Sequence, residues 1–224
     1  MMKIKEAIVL AGGLGTRLQS VIQDVPKPMA PINGRPFLCY VLDWLLCEGI
    51  HKCILAVGYK RECIIDFFGG EYNGMHLTYS VEEEPLGTGG AIQKAFTHCS
   101  AAAVIVNGDT LFPVDLALLT QKYRGNIVLA CRYMADASRY GVMRLQGDLV
   151  TGFDEKKNGV AGWVNGGVYI ANKLPFCDYT GKFSMEMDVL PKCIREGKVY
   201  AMKSDAYFID IGVPEDYRRA QAEL

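Results

Sequence analysis

The chain has 224 residues, half of them hydrophobic, enough to bury the core of one sizeable domain. Its 24 Lys and Arg meet 25 Asp and Glu in a net charge of -1, which argues against a nucleic-acid-coating surface or a polybasic membrane arm. Any anion must therefore be held by a local cluster of groups.

The elements alternate through the first half. Residues 7–11 form a short apolar run bounded by glycine, as expected of a strand buried on both faces. Residues 37–48 carry apolar side chains at helical spacing, and Gly49 supplies a stop. A strand is expected over 53–57, a helix over 61–68, a strand over 76–81, a helix over 90–98 and a buried strand over 102–106. In the second half 127–131, 142–145, 149–153 and 164–171 read as strands with few helices between them, and 185–195 and 214–223 read as helices. Strands separated by helices build βαβ units. The expectation is one α/β domain over 1–224, Rossmann-like, with a mixed, mainly parallel sheet flanked by helices.

The eight cysteines contain no C-x-x-C, and His51, His76 and His98 are far apart in sequence. Zinc ligation needs tighter pairs, so reduced core thiols are expected. The N-terminal apolar run is too short for a signal peptide, and no stretch approaches the length of a membrane span. A soluble, cytoplasmic protein is expected. The broad apolar helix from Phe37 could support a subunit contact in a homodimer.

The most informative stretch is Leu10-Ala11-Gly12-Gly13-Leu14-Gly15-Thr16-Arg17-Leu18, directly after the first strand. Its glycines let backbone amides approach an anion, and Arg17 adds a fixed cation. Pro26-Lys27-Pro28 holds a second cation between two stiff residues. Two cations beside a nest of amides suit a triphosphate. The run lacks G-x-x-x-x-G-K-[ST], and Leu18 stands where a dinucleotide fingerprint wants its third glycine. A turn whose glycines merely permit the bend is the plain alternative. Asp109 and Asp210 each end a strand-like run, and such ends gather at one edge of a parallel sheet. Read without further context, they are as readily a turn residue and a helix cap as a pair of metal ligands.

Six motifs in order carry a resemblance: Gly12-Gly13-x-Gly15-Thr16-Arg17-Leu18 with Pro26-Lys27-Pro28, then Pro85-Leu86-Gly87-Thr88-Gly89-Gly90-Ala91, Asn107-Gly108-Asp109, Phe153-Asp154-Glu155-Lys156, Asn165-Gly166-Gly167-Val168-Tyr169, and Asp210-Ile211-Gly212-Val213-Pro214-Glu215-Asp216-Tyr217. Together they resemble the sugar-phosphate nucleotidyltransferase family over nearly the whole chain. The stretches at 24–32 and 207–217 are most similar to its heptose 1-phosphate guanylyltransferase branch. The resemblance implies transfer of a nucleotidyl group, GMP from GTP being favoured, to a sugar 1-phosphate, with a guanylyl- or uridylyltransferase for mannose or another hexose 1-phosphate as the alternative. Its cofactor would be Mg²⁺ on Asp109 and Asp210, which suits an ion that prefers one or two carboxylates plus phosphate oxygens and waters. Arg17 and Lys27 join these two as catalytic residues. Nucleotide contacts fall to Leu10, Gly12, Gly13, Gly15, Thr16, Glu82, Gly87 and Gly108, and sugar-phosphate contacts to Gly141, Glu155, Lys156 and Asn165. Glu82 aligns with the base-reading position, and a carboxylate accepts both N1–H and N2–H of guanine while repelling the acceptor edge of uracil or thymine. A non-catalytic binder of nucleotide sugars is the competing class, disfavoured by the intact Arg17, Lys27, Asp109 and Asp210. A nicotinamide-dependent oxidoreductase is disfavoured by the missing glycine.

Overall fold

The computed structural model describes residues 4–13, 15–18, 21–22, 24–154 and 160–224. Strand β1 (Glu6–Leu10) is the apolar run before the glycine turn. After it come the short ladder β2 (Pro31–Ile32) and β3 (Arg35–Pro36), helix α1 (Phe37–Cys47), β4 (Lys52–Val57) and α2 (Arg61–Phe68). Next are β5 (Glu71–Tyr72), β6 (Met75–Val81), α3 (Gly87–Ala95), β7 (Ala103–Asn107), β8 (Thr110–Leu111) and α4 (Leu116–Lys122). The chain continues through β9 (Ile127–Met134), β10 (Val142–Gln146), β11 (Leu149–Asp154) and β12 (Gly162–Ala171). A π turn over Met185–Val189 leads into α5 (Leu190–Arg195), and β13 (Val199–Ser204), β14 (Ile209–Asp210) and α6 (Pro214–Glu223) complete it.

The ten-stranded sheet has the order β10-β11-β13-β9-β12-β7-β1-β4-β6-β5. Strands β6, β4, β1 and β7 run parallel, whereas β12 is antiparallel to both β7 and β9. A further pairing, Val142 with Val164, joins β10 to β12 and curls this half of the sheet back on itself.

Side chains alternate across a strand with period two, so a central sheet must separate two cores. Ala7 and Val9 of β1, Leu55 and Val57 of β4, and Val104 and Val106 of β7 point into one core with α1, α2, α4 and α6. Ile8, Ile54 and Ile105 point into the other with α3 and α5. That is why the central strands read as continuous apolar runs rather than as alternating ones. Truncating a fully buried member such as Leu42 or Ile54 to Ala should cost about 2–5 kcal/mol.

Three expectations need amendment. The helix expected over 185–195 is broken at its start, because Pro191 has no N–H to donate to the turn before it. Helix α1 turns Phe37, Leu38, Val41, Leu42 and Leu45 into the chain's own core, so this is not a free apolar face for a subunit contact. Asp109 and Asp210 do not end two neighbouring strands of the main sheet. Asp210 lies on β14, whose separate ladder with β8 pairs it with Thr110, and the Ile211 amide donates to the Asp109 carbonyl. All eight cysteines are free. Among the described residues no helix is long and apolar enough to cross a membrane.

Candidate active site

The strand ends of the parallel half open onto a groove of three adjoining cavities. The first, about 520 Å³, is lined by Gly12, Gly13, Gly58, Tyr59, Arg61, Glu82 and Gly87, among others. The second, about 290 Å³, is lined by Leu10, Gly13, Gly15, Arg17, Lys27 and Asp109. The third, about 810 Å³, takes Arg139, Tyr140, Gly141, Asn165 and Asp210 together with the wall formed by α5. Leu10, Gly13 and Thr88 line both the first and the second. Asn107 and Glu186 line both the second and the third.

Lys27 stands at the second junction. Its Nζ lies 2.5 Å from Asp109 Oδ2 and 3.5 Å from Asp210 Oδ1, although Asp109 lines the middle cavity and Asp210 the large one. The lysine side chain is only 10% exposed, so this is a desolvated charge cluster rather than a surface pair. Gly15 explains how it is seated. It has φ +59, and a Cβ there would stand 2.9 Å from the Lys27 Cβ, so the glycine turn packs directly on the lysine stem.

Two carboxylates compete for one cation. Burial, and then the neighbouring Asp109, push Asp210 above the usual carboxylate range, while Lys27, Arg139 and the Gly212 amide pull it back. Asp210 Oδ1 is buried without a hydrogen bond. A buried anionic oxygen left unsatisfied is costly, and a divalent cation would satisfy it. Among the described residues no cluster of three or more His, Cys, Asp or Glu forms a closed cage. The pair therefore suits an oxygen-seeking ion that keeps open positions for phosphates, not a structural metal.

Glu82 enters the first cavity from the end of β6. Its Oε2 accepts from the Leu86 amide at 3.0 Å, and a Cβ on Gly12 would lie 2.7 Å from Oε1, so only glycine at position 12 leaves room for this carboxylate. Burial raises the Glu82 pKa, against the Leu86 amide and Lys94. Gly87, at φ +72, opens α3 where a Cβ would strike the Phe183 carbonyl. That carbonyl accepts from the Gly89 and Gly90 amides at 3.0 and 3.3 Å and ties the start of α3 to the segment before the π turn.

That tie positions Glu186, a residue for which the sequence carried no expectation. Its Oε2 accepts from Thr88 Oγ1 at 2.6 Å and Ser184 Oγ at 3.0 Å. It also faces the fully buried Tyr169 phenol, to which Asn165 Nδ2 donates at 2.7 Å. Glu186 stands in the first part of the π turn, and such turns recur at functional sites. Thr88, Asn107, Arg139, Tyr140 and Arg61 were also not among the expected site residues. Thr88 and Asn107 stand inside quoted motifs, whereas Arg61 and Arg139 carry no signal beyond their charge. Burial and the nearby Asp210 push Tyr140 up to about 12, leaving it a neutral hydroxyl at pH 7.

Most of the expected residues are thus brought together. Gly12, Glu82 and Gly87 share the first cavity, Gly15, Arg17, Lys27 and Asp109 the second, Leu10 and Gly13 both, and Gly141, Asn165 and Asp210 the third. Gly108 sits behind them, its amide donating to the Leu10 carbonyl at 2.9 Å. Glu155, Lys156 and the Thr16 side chain lie outside the described residues.

The groove thus runs along the edge of the parallel sheet and carries an acid–lysine–acid cluster where its middle and large cavities meet. Residues 6–224 match the nucleotidyl transferase family, and the chain belongs to it. It is 49% identical to the D-glycero-alpha-D-manno-heptose 1-phosphate guanylyltransferase of Aneurinibacillus thermoaerophilus, over 98% of both chains. The protein of the same description from Campylobacter jejuni is 46% identical over 95% of this chain and 96% of its own. Among solved structures, HddC from Yersinia pseudotuberculosis complexed with GMP-PN superposes with a TM-score of 0.87 at 37% identity, covering 98% of this chain and 99% of that one.

Proposed function

We infer that the protein is a sugar-1-phosphate guanylyltransferase that joins GMP from GTP to D-glycero-α-D-manno-heptose 1-phosphate, giving GDP-heptose and pyrophosphate. Its near full-length similarity to two curated enzymes of that description supports the substrates. The observation that carries the mechanism is Lys27 between Asp109 and Asp210 at the junction of the middle and large cavities. The base takes the cavity of Glu82, the triphosphate the one between Gly13 and Lys27, and the sugar the large one.

An oxygen of the sugar phosphate attacks the α-phosphorus, and the bond from that phosphorus to the bridging oxygen of the β-phosphate breaks. The nucleophile is already anionic, so no general base is needed; what opposes reaction is like-charge repulsion and lost orientation. Arg17 makes no ion pair with any described residue and faces the middle cavity, which leaves its guanidinium for the α-phosphate and the leaving pyrophosphate. Lys27 neutralises charge where the two phosphates meet. A divalent cation held by Asp109 and Asp210, Mg²⁺ by the hardness of its ligands, would supply further charge neutralisation. Glu82 accepts the guanine donors, and Gly141, Asn165 and Glu186 hold sugar hydroxyls, with Glu155 and Lys156 as further sugar-phosphate contacts.

The test is pyrophosphate release with Mg²⁺, GTP or UTP, and heptose, mannose or glucose 1-phosphate in parallel. Greatest kcat/KM is expected for GTP with the heptose. No release from any pair would refute the enzymatic reading, and a preference for glucose 1-phosphate would refute the sugar.

A further inference from the structure

Glu82 answers only half of a guanine. Its carboxylate suits the N1–H and N2–H donors, but the same base presents two acceptors, O6 and N7, that a carboxylate repels. The cavity that holds Glu82 also contains one arginine with no part in the transfer step. We propose that Arg61 reads the O6 and N7 acceptors of the bound guanine, and that Arg61 and Glu82 together reject adenine. The inference rests on the assignment of that cavity to the base of GTP.

Arg61 opens α2 and lines the base cavity beside Tyr59, Glu62, Glu82 and Glu83. Its guanidinium is oriented from two sides: Nε donates to Glu62 Oε1 at 3.2 Å, and Nη1 donates to Glu83 Oε2 at 3.0 Å. Five N–H groups radiate from a guanidinium, so three remain after these bonds, including both on Nη2. Held on Nε and Nη1, the guanidinium still has one Nη1 proton and both Nη2 protons to donate, and the Nη1–Nη2 end can engage O6 and N7 of guanine side by side. The amino group of adenine stands where guanine has O6, and it would meet these N–H groups donor to donor.

The backbone keeps the two readers at a constant spacing. Glu82 and Glu83 are consecutive, one entering the cavity and the next gripping Arg61. The Glu82 amide donates to the Val57 carbonyl at 2.8 Å, and residues 58–61 leave the same strand end. Lys60 has φ 50 and ψ 38, a left-handed conformation that a non-glycine residue adopts only at a cost. The turn is held by the Tyr59 amide donating to the Gly12 carbonyl at 3.4 Å and the Arg61 amide to the Gly58 carbonyl at 3.2 Å. The first of these grips bears on the glycine turn and the second closes the turn that carries Arg61, so the arginine is tied to the wall of the cavity.

The experiment compares GTP, inosine triphosphate, 7-deaza-GTP and ATP in the wild type, Arg61→Met, Arg61→Lys and Glu82→Gln, at saturating sugar 1-phosphate. Inosine lacks only the N2 amine, 7-deazaguanine only the N7 acceptor. Arg61→Met should lower kcat/KM about tenfold or more for both GTP and inosine triphosphate, raise the slow rate with ATP, and bring GTP and 7-deaza-GTP together. Arg61→Lys keeps the charge without the fork and should recover only part of the loss. Glu82→Gln should penalise GTP more than inosine triphosphate. A uniform fall with all four nucleotides, or full recovery in Arg61→Lys, would show a latch on α2 or a bare charge and overturn the proposal. A wild type that prefers UTP to GTP would instead overturn the assignment of guanine itself.

Discussion

The parallel half of this molecule, to which we assign the nucleotide, and the other half, to which we assign the sugar, gather their site groups in opposite ways. In the first, parallel strands β1, β4, β6 and β7 all point the same way, and residues just past their ends line the groove: Gly12, Gly58, Glu82 and Asp109. A parallel sheet delivers strand ends to one edge without further adjustment. The second half has antiparallel β12 between β7 and β9 and must break regularity to reach the groove. Its pairing with β9 shifts register between Asn165 and Val168, the π turn aims Glu186, and the short β8–β14 ladder brings in Asp210. On the proposed assignment, base and phosphate recognition are built into the topology, whereas sugar recognition hangs on local irregularities that can change without disturbing the sheet.

The sharpest test of that contrast lies where the halves meet. Asp109→Asn, from the parallel half, and Asp210→Asn, from the other, should each lower kcat by at least about 10²–10³-fold, and chelation of divalent cations should do the same to the wild type. The folded state raises the Asp210 pKa, so its ionised form is disfavoured there and the amide should not lower Tm. Activity that survives both variants and the chelator would separate the acidic pair from the chemistry.

A smaller effect is expected at Glu186. Glu186→Gln should raise KM for the sugar 1-phosphate about tenfold while moving KM for GTP less than about twofold. An equal change in both would mean that the π turn serves the nucleotide as well, and the division between the halves would blur.

The smallest expected effect is a pH dependence confined to the nucleotide half. Burial raises Glu82 above the ordinary carboxylate range, and guanine needs the ionised form. KM for GTP should therefore rise severalfold as pH falls from neutral towards that range, with no such rise in Glu82→Gln. The sign for stability is opposite: the folded protein holds this proton more tightly than the unfolded chain, so protonating Glu82 favours folding. A flat KM profile in the wild type would mean that Glu82 titrates without touching the base.

Legibility divides along the same line. The glycine turn, Lys27, Asp109 and Glu82 could be read from motif and pattern, and the turn, Asp109 and Glu82 each stand within a few residues of the end of a buried apolar strand, where local pattern and position in the sheet coincide. Helix α6 was legible to its ends for a similar reason, since Pro214 at its first position starts it without any tertiary help. Glu186 was hidden because 185–195 carries helical spacing, and spacing does not distinguish a π turn from an α turn. Strand β13 (Val199–Ser204) went unread because its pairing with β9 is formed by residues more than seventy positions away.

What the amino-acid order determined by itself was local: which runs are buried, where the glycines admit an anion, where proline stiffens a lysine, and which motifs succeed one another. Contacts across long stretches of chain were decided only on folding. Lys27 meets carboxylates 82 and 183 positions further on, and Arg61 meets Glu83 across a helix and two strands. Closing such loops has an entropic cost that only the two assembled cores can offset, so these meetings are properties of the sheet and cannot be found in any one segment.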